Sequence, residues 1–239
     1  MWPDLRQRAT ASELMDDRTI GGTELHETLR ELRVINRVLG AAAPTVEGVA
    51  QLWRAAGRPA DVTLLDIGAG SGDCSAALLR WAAQQQVRLQ ITLVDIHPET
   101  CAAAAAAHRD DPCVTVVCSD LLALALQPVD IVTAALFTHH FAAEQLPAVY
   151  RAMARAARLG VVVNDLHRHP LAWAGIWLAT RIFSRNRLIR NDAPLSVWRG
   201  FRADDLRALR GAAGLGELQF GWRPLFRYLI TLPGDAYAN

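Results

Sequence analysis

Residues 62–73, VTLLDIGAGSGD, decide how this chain folds. Val62 to Ile67 is a short apolar run rich in branched residues, with an acid, Asp66, near its end. Gly68, Gly70 and Gly72 then alternate with small residues. An apolar strand that runs into a glycine turn and then a helix is a nucleotide-binding crossover. The glycines let backbone N–H groups approach a ligand where any Cβ would collide. A helix beginning near Asp73 turns its partly positive N-terminus toward the same place.

Spacing separates the nucleotides. A dinucleotide fold places a third glycine at the position held here by Asp73, so that the helix can pack on the strand. The chain instead reads D-x-G-x-G-x-G from Asp66. This pattern resembles motif I of the class I S-adenosylmethionine-dependent methyltransferases. The resemblance covers about residues 61–164. It implies a doubly wound, mostly parallel seven-stranded sheet, a Rossmann-like α/β fold, with S-adenosylmethionine as cofactor. An acid beside the turn suits a ligand whose ammonium and sulfonium are both cationic. The resemblance assigns cofactor contacts to Asp66, Gly68, Ala69, Gly70, Gly72, Asp95, Ile96, Ser119, Asp120, Leu121 and Leu136.

The strands that follow support the same reading. Arg88 to Val94 alternates polar and apolar residues and ends in Asp95, where a carboxylate meets ribose hydroxyls and Ile96 covers the adenine. Pro98 opens a helix through Ala107. Val114 to Cys118 is a third strand with Ser119 and Asp120 at its tip. Val129 to Leu136 is a fourth, closed by Phe137-Thr138-His139-His140-Phe141. A helix over Glu144 to Arg158 leads to a fifth strand, Gly160 to Asn164, closed by Asp165-Leu166-His167-Arg168-His169. Alternating strands and helices give a parallel sheet that binds ligands at its carboxyl edge. Polar residues stand at all five predicted tips.

The flanks are less patterned. Residues 1 to about 22 show no periodicity. Thr23 is a candidate N-cap for a helix carrying Leu25, Leu29, Leu32, Ile35 and Leu39, with Arg30, Arg33 and Arg37 near its other face. Those arginines form a solvated face, or one of them meets an anion at the site. A second helix runs from Thr45 to Ala56, so residues 1–57 are expected to be an N-terminal helical cap on a domain spanning 58–239. Pro170 to Phe183 reads as a helix and the arginine-rich stretch after it as partly irregular, together a lid at about 166–202. An alternative is a helix resting on a membrane surface. A helix over Ala203 to Ala213 precedes strands at Leu218 to Trp222 and Phe226 to Leu232, expected to pair antiparallel at the sheet edge.

Composition narrows the chemistry. The chain has 239 residues, 51% of them hydrophobic, and a formal net charge of +1, which argues against a nucleic-acid binder working through a basic field. All 25 basic residues are arginine, as in a protein from a GC-rich bacterial genome. The absence of lysine excludes a Walker-A lysine and the Tyr/Lys pair of many short-chain dehydrogenases. Cys74, Cys101, Cys113 and Cys118 show no C-x-x-C spacing and read as buried or half-buried thiols of a cytoplasmic protein; no metal ligands are expected. The polar N-terminus is not a signal peptide, and no apolar run reaches about 18 residues.

Methyl transfer from a sulfonium requires the acceptor to be held in line and its proton removed. Histidine is the natural base near neutral pH. His139, His140, His167 and His169 cluster at two adjacent tips, with His140 and His167 favoured. The fourth tip lacks the Asn/Asp-Pro-Pro-aromatic motif of DNA and protein amide N-methylases. The segment Asn164 to Pro170 is similar to bacterial enzymes that accompany polyketide synthases, which implies a phenolic, quinone or polyketide acceptor methylated on oxygen. C- or N-methylation of a natural-product intermediate, a nicotinamide dehydrogenase and a non-catalytic, partner-binding domain stay open as alternatives. So does the oligomeric state, with a homodimer as one option.

Overall fold

The structure, a computed structural model, describes residues 2–121 and 127–234. Seven strands form one sheet: β1 (Asp61–Ile67), β2 (Arg88–Asp95), β3 (Val114–Cys118), β4 (Val129–Ala135), β5 (Ala157–Leu166), β6 (Gln219–Arg223) and β7 (Arg227–Pro233). Their spatial order is β3-β2-β1-β4-β5-β7-β6. The first five are parallel, and β7 enters antiparallel between β5 and β6. This is the expected doubly wound architecture, with a reversal of strand order beside β1 where such sheets bind ligands.

Helices cover both faces. On one face α2 (Ala43–Ala55), α3 (Asp73–Gln85) and α4 (Pro98–Ala107) enclose a core of Val49, Leu52, Trp53, Leu64, Leu78, Trp81, Ile91 and Val162. On the other, α5 (Leu146–Ala156) and α8 (Ala203–Ala213) pack Val149, Met153, Leu206 and Leu209 against Val132, Val161 and Ile230. Thus α2, within the segment expected to cap the site, seats its buried face on the sheet, while α1 (Gly22–Val38) extends beyond it.

Several boundaries move for physical reasons. Gly21, not Thr23, occupies the N-cap of α1, and the backbone N–H of Gly22 donates to Glu99 of α4 at 2.7 Å. The α5 helix is shorter than its apolar period, because Ala157 and Arg158 join β5 opposite Val129. Cys118 is exposed rather than buried.

The largest correction lies in the lid. Pro170–Phe183 is helix α6 as read, but Arg187–Arg199 is also helical, α7, despite Pro194 inside it. Asn186 explains its start: its side-chain oxygen accepts from the N–H groups of Leu188 at 2.9 Å and Ile189 at 3.4 Å. Leu188, Ile189 and Val197 then bury one side of the helix. In contrast, Leu171, Leu178, Ile182 and Phe183 of α6 are exposed. Among the described residues no helix is long and apolar enough to cross a membrane.

The unpatterned N-terminal segment is an ordered strap. Its only helical turn, Leu14–Asp16, hangs on buried Asp192 of α7, whose carboxylate accepts from the N–H groups of Leu14 (2.8 Å) and Met15 (2.9 Å). Buried Arg168 fixes an earlier part, donating to the carbonyls of Leu5 (3.0 Å) and Gly200 (2.6 Å) while pairing with Asp205 at 3.0 Å.

Replacing Asn186 with alanine should lower stability by about 1 kcal/mol, a drop of roughly 2–4 °C in melting temperature for a chain of this size. Thermal unfolding followed by circular dichroism measures it. An unchanged midpoint would mean that this cap does not hold α7.

Candidate active site

One large cavity, about 1880 Å³, opens at the carboxyl edge of the sheet. It is walled by the glycine turn, α1, the strap, the segment after β4, and α6 and α7. All eleven residues expected to meet the cofactor line it: Asp66, Gly68, Ala69, Gly70, Gly72, Asp95, Ile96, Ser119, Asp120, Leu121 and Leu136.

The turn after β1 has the backbone that its glycines permit. Gly68, Gly70 and Gly72 all have positive φ. A Cβ on Gly68 would drive into the Phe137 ring, and one on Gly72 would press on His108. A Cβ on Gly70 would meet nothing within 4 Å. The Asp95 carboxylate bridges the turn to the end of β2, accepting from Gly70 N–H and His97 N–H at 3.0 Å each. Asp73 is paired with Arg33 of α1 at 2.8 Å, so the acid that breaks the dinucleotide pattern ties the cap helix to the turn. Among the described residues Arg30 and Arg37, the other two arginines of that face, form no ion pair; Arg33 is the one that meets an anion.

Asp66 is 1% exposed and accepts a hydrogen bond from Thr133 at 2.6 Å. Burial pushes its pKa up to about 6; the Thr133 bond opposes this and the nearby Asp95 charge adds to it. The carboxylate has no cationic partner among the described residues.

The four candidate histidines divide. His139 and His140 lie on a short helical turn, Thr138–His140, and both line the cavity. His167 and His169 do not. His167 packs among His169, Phe226 and Tyr228, and the His169 side chain caps α6 by accepting from the N–H of Leu171. The tip of β5 contributes Asp165 instead, which points back beneath the histidine turn.

Asp165 is fully buried. It accepts from Thr138 Oγ1 (2.7 Å), His139 N–H (3.0 Å) and the N–H of Leu166 (2.8 Å), and pairs with His139 Nδ1 at 2.6 Å. His139 Nε2 faces buried Glu13 at 3.4 Å. Burial alone would lower the His139 pKa, but the Asp165 charge and hydrogen bond, joined by Glu13, raise it to about 9. Burial likewise opposes ionisation of Asp165, and His139 and Thr138 outweigh it, holding the acid at about 2. His139 is therefore an imidazolium at neutral pH, clamped between two carboxylates.

His140 is half-buried, and Asp16 of the strap takes its Nδ1 at 2.8 Å. Burial would raise the Asp16 carboxyl, but the His140 bond and charge bring it below its ordinary value. Glu13 and Asp16 sit in the stretch that showed no sequence pattern. A donor atom from each of Glu13, His139 and His140 lies within 4.8 Å of the others, a grouping with the composition of a metal site. A doubly protonated His139 has no lone pair to offer there.

The clamp has a pH signature. The folded protein keeps a proton on His139 up to about pH 9, whereas the unfolded chain releases it near 6.5. Stability from this pair is complete below pH 6.5 and declines as pH rises through about 9. Melting temperatures between pH 6.5 and 9 should fall more steeply in the native protein than in His139→Gln. Parallel slopes would contradict the charge assigned to His139.

Residues 64–160 match the family model of a methyltransferase domain. No curated protein matches the chain in sequence. Among solved structures it is similar to the CMeT domain of the citrinin polyketide synthase (15% identity, TM-score 0.54), covering 72% of this chain but only 46% of that one. Magnesium protoporphyrin IX methyltransferase from Synechocystis PCC 6803, with bound S-adenosylhomocysteine, aligns over 84% of this chain and 87% of its own (15%, TM-score 0.56). A SAM-dependent methyltransferase from Aquifex aeolicus aligns over 86% and 96% (15%, TM-score 0.58). At such identities the likeness carries the fold. Together with the matched model at the glycine turn, it shows that this chain carries a class I S-adenosylmethionine-dependent methyltransferase domain over residues 64–160.

Proposed function

We propose that the chain methylates an oxygen of a small phenolic, quinone or polyketide-type acceptor, with His140 receiving the acceptor's proton. The observation that carries this reading is the His140–Asp16 pair on the wall of an otherwise largely apolar cavity, beside the glycine turn.

The cofactor supplies an electrophilic methyl group on a sulfonium. Around it the chain's residues do three things. First, the glycine turn offers close backbone approach, and the buried Asp66 carboxylate suits the methionine ammonium, the cation it lacks. Asp95, already oriented by two backbone N–H groups, receives ribose hydroxyls, with Ile96 and Leu121 against the base. Second, Phe137, Phe141, Leu171, Ile176, Ile189 and Phe226 line an acceptor space that excludes water and favours a flat, lipophilic molecule. The cavity exceeds the range of about 300–1,000 Å³ usual for one small ligand, as a site for cofactor plus acceptor must. The citrinin synthase neighbour is in keeping with a polyketide-type acceptor.

Third, His140 takes the proton. Asp16 on Nδ1 orients the ring, leaves Nε2 for the acceptor hydroxyl, and stabilises the imidazolium that forms. His139 cannot share this work while it is already protonated.

Two variants and one titration test the reading. Calorimetry should show binding of S-adenosylhomocysteine and none of NAD. Asp95→Ala should weaken that binding by roughly 1–3 kcal/mol. Over a panel of phenols and quinones, His140→Ala should lower turnover by roughly 100-fold or more with cofactor affinity unchanged. Cofactor binding without methyl transfer to any acceptor would favour a non-catalytic role.

A further inference from the structure

Arg227 opens β7 and is 3% exposed, yet its guanidinium holds nothing. Nε and Nη1 are buried without a hydrogen-bond partner, and the side chain forms no ion pair among the described residues. Burial lowers its pKa, with the Asp165 charge opposing. A guanidinium stays charged in proteins, and a buried cation without a partner is strongly unfavourable. The other two buried arginines show that this is not the habit of the fold. Arg168 donates to the carbonyls of Leu5 and Gly200 and pairs with Asp205; Arg199 donates to carbonyls of Ala11, His139 and His140.

Arg227 lines the cavity, next to Phe226 in the chain and opposite Leu166 of β5. The strand order sets its distance from the cofactor side. Strand β7 is three places from β1, roughly 14 Å at the usual strand spacing. The histidine turn after β4 lies between. The cationic group therefore stands at the acceptor end of the cavity, away from Asp66 and Asp95.

We infer that Arg227 receives a carboxylate carried by the acceptor. The inference rests on the methyl-transfer reading for the word acceptor; the anion site itself rests on the orphaned guanidinium. A planar guanidinium matches a carboxylate donor for acceptor. Phe226, next to Arg227 in the chain, and Leu171, elsewhere on the cavity wall, offer apolar surface for a ring attached to that carboxylate. Asp165, the acid nearest in charge, is committed to His139 and does not compete. The ligand class is thus an aromatic or polyketide-derived hydroxy acid, with its hydroxyl toward His140 and its carboxylate at Arg227.

The test uses the full chain saturated with S-adenosylhomocysteine and two probes, 3-hydroxy-2-naphthoate and its carboxamide, titrated by calorimetry. The carboxylate should bind at least tenfold more tightly than the amide. Arg227→Met should bring that ratio near one and leave S-adenosylhomocysteine affinity unchanged. A native ratio near one, or a ratio that survives in the variant, overturns the inference. If neither probe binds, the melting temperature of the ligand-free proteins decides. Removing an unpartnered buried charge while keeping its apolar stem should raise it, by roughly 2–4 °C; a fall overturns the inference. Turnover is scored separately. Methyl transfer without preference for carboxylates leaves the proposed function standing and removes this site. Naphthoate binding through Arg227 with no methyl transfer to any acceptor does the reverse.

Discussion

A carboxylate with no access to water, Asp165, sets the geometry of the acceptor side. Leaving it ionised in the interior requires compensation from every direction, and the chain supplies it from one short turn: the Thr138 hydroxyl, the His139 amide and the His139 ring. Those bonds force the segment after β4 to double back over the end of β5. His139, made an imidazolium by the same carboxylate, then needs a second anion, which Glu13 provides from a distant part of the chain. Once His139 is fixed, His140 can only face the cavity, where Asp16 meets it. The half-buried histidine is thus placed by its fully buried neighbour.

The enclosure depends on a second device, arginines that bind carbonyl oxygens. Arg8 donates to His139 and Phe141 carbonyls at 3.0 and 3.1 Å and to the Arg199 carbonyl at 2.7 Å. Arg199 donates to carbonyls on the same turn and on the strap. A guanidinium presents five donors in a plane and so can satisfy irregular backbone that has no helix or strand to bond with. Strap, histidine turn and the end of α7 are joined this way. That explains how segments 191 residues apart in the chain meet at one cavity.

This division also sets what could be read from the residues alone. Strand and helix periods are local, so β3, α6 and α8 fall where their patterns end, and the glycine turn identifies the cofactor edge. The strap is invisible because its order comes from carbonyl–guanidinium bonds, which impose no periodicity. Helix α7 is hidden by Pro194 and by arginines, while its real signal, the capping Asn186, looks like loop composition. The histidine pair could be narrowed only by knowing which side of each tip faces the cavity. His167 follows Asp165 on β5 by two residues and packs outward against Tyr228, whereas His139 and His140 turn inward. Arg227 gave no signal at all, since one arginine among 25 is distinguished only by being buried without a partner.

Asp66 and Arg227, both buried and both lining the cavity, lack a counter-charge, and they have opposite signs and opposite places. Asp66 stands under the glycine turn with its carboxyl driven up by burial; Arg227 stands beyond β5 with its guanidinium driven down. They are too far apart to compensate each other, with the histidine turn and its carboxylate partners between them. A core optimised for stability would pair or remove both. Keeping them gives the site two specific electrostatic demands, one for a cation and one for an anion. On the proposed reading those demands are met by different molecules, the cofactor's ammonium and the acceptor's carboxylate. Each ligand then gains from relieving a charge already desolvated by the fold, so orientation is imposed before any hydrogen bond to the reacting oxygen forms. Reversing an acceptor end for end would carry its carboxylate away from Arg227 and leave that buried guanidinium without a partner, a cost that the productive orientation avoids.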